Sequence, residues 1–359
     1  MTKINTKDIS VVIQGALDKK YIGKTLKSIR KELPQAEIIL STWEGTDVSE
    51  LDYDILVLNE DPGAAVFTPD GRKQNQNRQI FSTQNGIKKA TRKYVLKIRS
   101  DMEIKGTRFL SYFGKYTKRN PECKILKERI LINSLYTRNS LMQKSKKELQ
   151  PYLFHPSDWM MFGLKEDMLN IWDIPLAPEP ETSQYFATHP NLPHDKGCLT
   201  RWHAEQYIWL SFLEKNGFKL NYDNYFVYNE ESRRLSELSI VNNTTLLEYK
   251  KQFDILCQKY LEQYGDSPTM HPFQWMKLYK EFCDPSFVIP LKWSWKEELH
   301  IQQNIFHFSK HLNRLIKPIK YFPKWIEQLL NCAFYFCKII LSVIRYLPTL
   351  ILSKIKKGR

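Results

Sequence analysis

Lys93–Glu103, KYVLKIRSDME, joins a short apolar run to two acids. The run Tyr94, Val95, Leu96 and Ile98 carries β-branched and aromatic residues, which suit a pleated, half-buried surface, so it reads as a strand. It leads straight into Asp101 and Glu103. Alternate residues of a strand share a face, so a strand that continues this far turns both carboxylates to the same side. Two oxygen ligands at the carboxyl end of a buried strand suit a hard divalent cation. Asp52-Tyr53-Asp54 and Glu179-Pro180-Glu181 repeat the spacing with no such strand before them, so the strand rather than the spacing is the informative part.

Upstream, Ile9-Ser10-Val11-Val12-Ile13 reads as a first strand, ended by Gln14-Gly15. A helix pattern follows through Ile22, Leu26 and Ile29 and closes near Leu33-Pro34. Glu37–Thr42 and Asp54–Asn59 are second and third strands. Strands alternating with helices imply a mostly parallel sheet with right-handed crossovers, an α/β fold of Rossmann-like character. Ligands of such sheets sit at the carboxyl ends of the strands. Gln14-Gly15, Ser41-Thr42-Trp43, Asn59–Gly63 and Ser100–Glu103 are therefore expected along one edge. Asn75–Ile80 opens a helix to about Ala90. Arg78, and less directly Arg72 in the preceding Pro/Gly-rich loop, are placed to meet a diphosphate, because arginine pairs bidentately with phosphate oxygens.

Downstream, Lys124–Thr137 reads as one or two strands and Lys144–Lys147 as a solvated loop. His155-Pro156-Ser157-Asp158-Trp159-Met160-Met161-Phe162-Gly163 is a short apolar strand introduced by polar residues, with a helix Leu164–Trp172 after it. Pro175–Leu199 lacks periodicity and is either a lid over donor and acceptor or a disordered insertion. A helix runs from about Thr200 to Asn216, closed by Gly217, with Glu205 in its first turn. There a carboxylate serves either the helix dipole or, facing a cleft, as a general base. His203 is a competing base or a third metal ligand. Phe218–Tyr228 reads as a last strand and Leu246–Tyr264 as an amphipathic helix.

The 359 residues carry a formal net charge of +15. Two thirds of that excess lies beyond residue 309, where eleven Lys and Arg face Glu327 alone. Charge is thus a property of the tail and says little about the substrate of the core. Lys324–Leu347 is almost wholly apolar, with Asn331, Lys338 and Arg345 recurring every seven residues as a narrow polar stripe. Two cations inside the span, at about 2.5 to 3.5 kcal/mol each in a bilayer centre, disfavour crossing. A helix lying in an anionic interface is expected, with docking on the protein's own core or a dimer contact as the other reading. The six cysteines form no CxxC pair, and the first residues lack a signal-peptide core, which fits a reducing cytosol. Residues 1–300 are read as one catalytic domain and 301–359 as a membrane-associating tail.

Taken together, SVVIQG, the run Arg30–Gly45, NEDPG, NQNRQI, YVLKIRSD and HPSDWMMFG resemble the WavE lipopolysaccharide-synthesis family over roughly residues 9–230. The resemblance implies a GT-A type glycosyltransferase fold, a nucleotide-sugar donor and a bacterial surface glycan (lipopolysaccharide or capsule) or lipid-linked acceptor. Asp101 and Glu103 then take the place of the metal-binding acidic pair, holding Mg²⁺ or Mn²⁺, which is dispensable if the donor is a CMP-sugar. Gln14, Gly15, Thr42, Asp61, Arg78, Arg99 and Asp101 are expected around the donor, and Asp158 or Glu205 is expected to take the acceptor's proton. No nucleic-acid partner is expected. The expected location is the cytoplasmic face of the inner membrane. A nucleotidyltransferase would share the sheet and the acids, but Gln14-Gly15 lacks a glycine-rich phosphate loop. A non-catalytic membrane-binding protein is the other alternative.

Overall fold

The computed structural model describes residues 4–143, 148–249, 251–259 and 269–290. The chain runs β1 (Ile9–Gln14), α1 (Ile22–Glu32), β2 (Glu37–Trp43), β3 (Ile55–Asn59), a short hairpin of β4 (Ala65–Val66) and β5 (Lys73–Gln74), α2 (Gln76–Lys89), β6 (Tyr94–Arg99) and β7 (Met102–Ile104). It continues through β8 (Ile130–Asn133), β9 (Arg138–Gln143), β10 (Glu148–His155), β11 (Met161–Leu164), α3 (Lys165–Trp172), α4 (Tyr185–Thr188) and α5 (Ala204–Lys215). Last come α6 (Glu230–Asn243), β12 (Thr244–Leu247), β13 (Ile255–Cys257) and α7 (Pro272–Phe282). The charged loop Lys144–Lys147 and the tail beyond 290, with the amphipathic helix read there, lie outside the described residues.

Seven strands form the central sheet in the order β12-β8-β11-β6-β1-β2-β3. β1 pairs in parallel with both β2 and β6, β2 with β3, and β12 with β8. β11 is reversed, antiparallel to β6 on one side and β8 on the other. Every residue of β1 is buried, as a strand covered on both faces must be. On one face Val11, Ile13, Ile38, Leu40, Leu96 and Ile98 pack with Ile22, Leu26 and Ile29 of α1. On the other, α2 approaches so closely that a Cβ on Gly86 would stand 2.5 Å from Val12 Cγ1 and 3.0 Å from Ser41 Cβ. The chain lays β2 and β3 to one side of β1 and then β6 to the other. The connections leave β1 and β6 in opposite directions, which opens a crevice at their carboxyl ends.

Four expectations change. β6 ends at Arg99; Ser100-Asp101 form a turn, and Glu103 belongs to a separate strand, β7, which pairs with β13. The alternation argument therefore does not carry across from Asp101 to Glu103. Phe218–Tyr228 holds no strand; Tyr222 and Tyr225 are buried there from irregular backbone. Over its described residues, Leu246–Tyr264 is β12, a turn and β13 rather than a helix. Pro175–Leu199 is anchored, with Phe186 and Cys198 packed against Tyr152 and Tyr225.

Candidate active site

The crevice is a cleft of about 620 Å³ lined by Gln14, Gly15, Lys19, Trp43, Arg78, Gln79, Arg99, Asp101 and Lys259, among others. Gly15 turns the chain away from β1 with φ +88°, a left-handed conformation that glycine alone adopts without strain. A buried polar network fixes the strand ends to α2. Ser82 Oγ donates to Gln14 Oε1 (2.9 Å), Ser41 Oγ to the Ser82 carbonyl (2.6 Å), and Asn59 Nδ2 to Ser41 Oγ (3.0 Å). These bonds set the height and rotation of α2, so its first two turns present Arg78 and Gln79 to the cleft.

Arg78 is held by Asp61, with Nε to Oδ1 at 2.7 Å and Nη2 to Oδ2 at 2.5 Å. The guanidinium keeps the Asp61 carboxyl below its usual range. Arg99 forms a second fork, Nε to Asp101 Oδ1 at 3.0 Å and Nη2 to Oδ2 at 2.8 Å, with its guanidinium 4.3 Å from the centre of the Trp159 ring. Of the residues expected around the donor, Gln14, Gly15, Arg78, Arg99 and Asp101 line this cleft. Asp61 joins through Arg78. Thr42 is fully buried, 3.4 Å from Thr46 Oγ1, and the next residue, Trp43, is at the cleft instead. Arg72 pairs with Asp70 outside the cleft lining.

Glu103 lies outside the lining as well. Lys24 (2.9 Å) and Lys105 (2.5 Å) grip it; burial alone would raise its pKa, and the two ammonium groups more than offset that and lower it. The donor set therefore does not fit a divalent ion shared by Asp101 and Glu103. One carboxylate, in the turn after β6, is committed to a guanidinium, and the other, on β7, to Lys24 of α1 and to Lys105. Among the described residues no group of three His, Cys, Asp or Glu stands ready to hold a metal.

Behind the cleft lies a buried ionisable cluster. Gln79 Nε2 donates to Asp158 Oδ2 at 2.7 Å, while Asp158 Oδ1 is buried with no hydrogen-bond partner. Burial, then the nearby Glu205 charge, raises the Asp158 carboxyl to about 7. Lys97, wholly buried in β6, donates its ammonium to the Asp158 main-chain carbonyl and lies 4.8 Å from the centre of the Trp172 ring. Burial pulls it down to about 8, against the pull of Asp158. Glu205, raised by burial, faces His155 Nε2 at 3.5 Å. His155 is neutral, its pKa driven well down by burial and then by Arg138, and its Nδ1 bonds the Tyr136 carbonyl (2.9 Å). With the imidazole neutral, the Glu205–His155 contact is not an ion pair. Tyr136 (φ +62°) and Phe154 (φ +56°) both hold left-handed backbone beside this histidine, an uncommon conformation for aromatic residues. His203 has a structural place. It caps α5, bonds the Tyr152 hydroxyl and, pushed down by burial to about 3, stays neutral.

Lys97 and Gln79 are the members of this arrangement that the sequence reading passed over. The signal for Lys97 was a lysine flanked on both sides by apolar residues of a central strand. For Gln79 it was the polar run NQNRQ at a helix start. The family model described as WavE lipopolysaccharide synthesis matches residues 9–309. No curated protein matches the chain.

Proposed function

The chain belongs to the WavE lipopolysaccharide-synthesis family, and from that premise we propose that it is a glycosyltransferase of GT-A type, moving a sugar from a nucleotide-activated donor to a glycan or lipid-linked acceptor. The observation that carries the reading is the basic cleft at the carboxyl ends of β1 and β6, backed by a carboxyl whose pKa is raised to about 7. A mostly parallel sheet with its cleft at that edge is what the GT-A reading requires.

In this proposal the donor's phosphates lie against Arg78, Arg99 and Lys19, whose fixed charges meet the negative charge that grows on the departing phosphate. The acceptor hydroxyl oxygen bonds to the anomeric carbon as the bond from that carbon to the phosphate oxygen breaks. Asp158 is the base. The acceptor hydroxyl replaces Gln79 Nε2 as the donor to Oδ2, and its proton passes to the carboxylate. A base with a pKa near the working pH combines a useful ionised fraction with proton affinity. Lys97, holding the Asp158 main chain, fixes where that carboxylate stands.

The test is product analysis with a panel of nucleotide sugars. Release of free nucleotide with a glycosylated acceptor is expected, and Asp158→Asn should lower turnover by about 10²–10⁴-fold in a folded protein. Release of pyrophosphate would identify a nucleotidyltransferase instead. Full turnover in Asp158→Asn would remove the base assignment.

A further inference from the structure

We infer that side-chain cations alone neutralise the donor's phosphates in this cleft, and that Asp101 is a positioning residue for the Arg99 guanidinium rather than a ligand to a divalent ion. The inference rests on the nucleotide-sugar reading and extends it to how the leaving phosphate is held.

Three observations converge. First, both oxygens of Asp101 are engaged by Arg99 in a bidentate fork, and the buried thiol of Cys257 lies 3.6 Å from Oδ2. A bound Mg²⁺ sits about 2.0–2.1 Å from its oxygens, so an ion on this carboxylate would displace the guanidinium or stand against its charge. Second, Trp159 supports the guanidinium from its ring face, and Trp159 in turn stacks on Tyr136 at 4.6 Å. Carboxylate and indole together fix the plane of Arg99 at the cleft wall, a preorganised fork for phosphate oxygens. Third, the cleft lining holds Lys19, Arg78, Arg99 and Lys259 against Asp18 and Asp101, and even with Asp61 counted as the partner of Arg78 the cations outnumber the acids four to three. That balance favours entry of an anion and opposes entry of a free cation. Glu103, the second acid such an ion would need, is elsewhere and twice paired.

The experiment is calorimetric titration of the full chain with UDP, GDP, dTDP, CDP and CMP, once in EDTA and once in excess MnCl₂. At least one nucleotide should bind in EDTA, and no more tightly in manganese, which complexes the phosphates in solution. Arg99→Lys keeps the charge and loses the fork, and should weaken that binding by about tenfold or more in both. Asp101→Asn should weaken it by the same factor in EDTA as in manganese, since its role is to aim Arg99. If manganese tightens wild-type binding about tenfold and Asp101→Asn erases that gain, Asp101 is a metal ligand; the inference falls and the nucleotide-sugar reading stands. If no nucleotide of the panel binds the folded protein in either buffer, the nucleotide-sugar reading itself falls, and the inference with it. Should Asp101→Asn fail to fold, the wild-type and Arg99→Lys titrations still decide, because a metal site tightens binding in manganese, whereas manganese complexed to the diphosphate in solution only masks the charge that the cleft's cations meet.

Discussion

Asp158 is tuned by neighbours that push in opposite directions, and this gives a signed test. If it must be ionised to accept the proton, kcat/KM should rise with pH through a limb near 7. The Gln79 hydrogen bond favours the ionised form, so Gln79→Leu should move the limb to higher pH. The Glu205 charge disfavours it, so Glu205→Gln should move the limb to lower pH while leaving turnover above the limb largely intact. Lys97 and Arg99 both favour the carboxylate and are unchanged in either variant. A limb that stays put in both variants would mean that another group titrates. How much of this was legible differs residue by residue. Asp158 stood out because a polar residue before a short apolar strand invites a reason. Lys97 did not, because an alternating strand can place a lysine in water, and only the covering of both faces by α2, α3 and the sheet's other layer reveals that it is buried. Asp101 and Glu103 looked like a pair because two residues apart on a strand means one face. The turn at Ser100-Asp101 breaks that rule, and local spacing carries no mark of it.

Elements were legible where the pattern was local. β1, α1, β2, β3, α2, β6 and α3 fall within a residue or two of their expected spans, because each carries its own period and its own stop. β13 was not legible. It exists by pairing with β7 some 150 residues earlier in the chain, while its own apolar spacing imitates a helix. The irregular stretch around Tyr222 and Tyr225 misled in the same way, since aromatic residues suit a strand and are equally buried from loop backbone. The seat of α2 is the element-level feature most open to experiment. Alanine in a helix interior gains about 1 kcal/mol over glycine. At Gly86 the new methyl would meet Val12 at 2.5 Å, and overpacking of this kind costs about 1–3 kcal/mol. The second effect should win. Gly86→Ala is expected to lower the urea midpoint, and to weaken nucleotide binding by lifting Arg78 and Gln79. Gly23→Ala on the exposed side of α1, where the same methyl meets nothing within 4 Å, should be neutral or stabilising. Equal midpoints for the two variants would show that α2 is not seated on Val12 as described.

Charge was the molecule-wide property most easily read from sequence, because it adds along the chain without knowledge of the fold. The +15 excess is concentrated beyond residue 309, whereas every residue lining the cleft lies at or before Lys259. The cleft and the basic tail are thus separable in sequence, and we propose that transfer and surface attachment are separable in function. No described helix is long and apolar enough to cross a membrane. The proposed attachment is peripheral, through Lys and Arg set among apolar residues beyond 309, each cation adding about 1 kcal/mol near an anionic surface. Removal of residues 310–359 should abolish sedimentation with anionic vesicles and leave transfer to a soluble acceptor unchanged. Raising salt should release the full chain from the vesicles in part, since the apolar residues of the tail remain attracted to lipid after the charges are screened. Vesicle binding that survives the truncation would place the membrane contact on the catalytic unit. Loss of soluble transfer would show that the tail supports the cleft, by packing on the protein rather than on lipid.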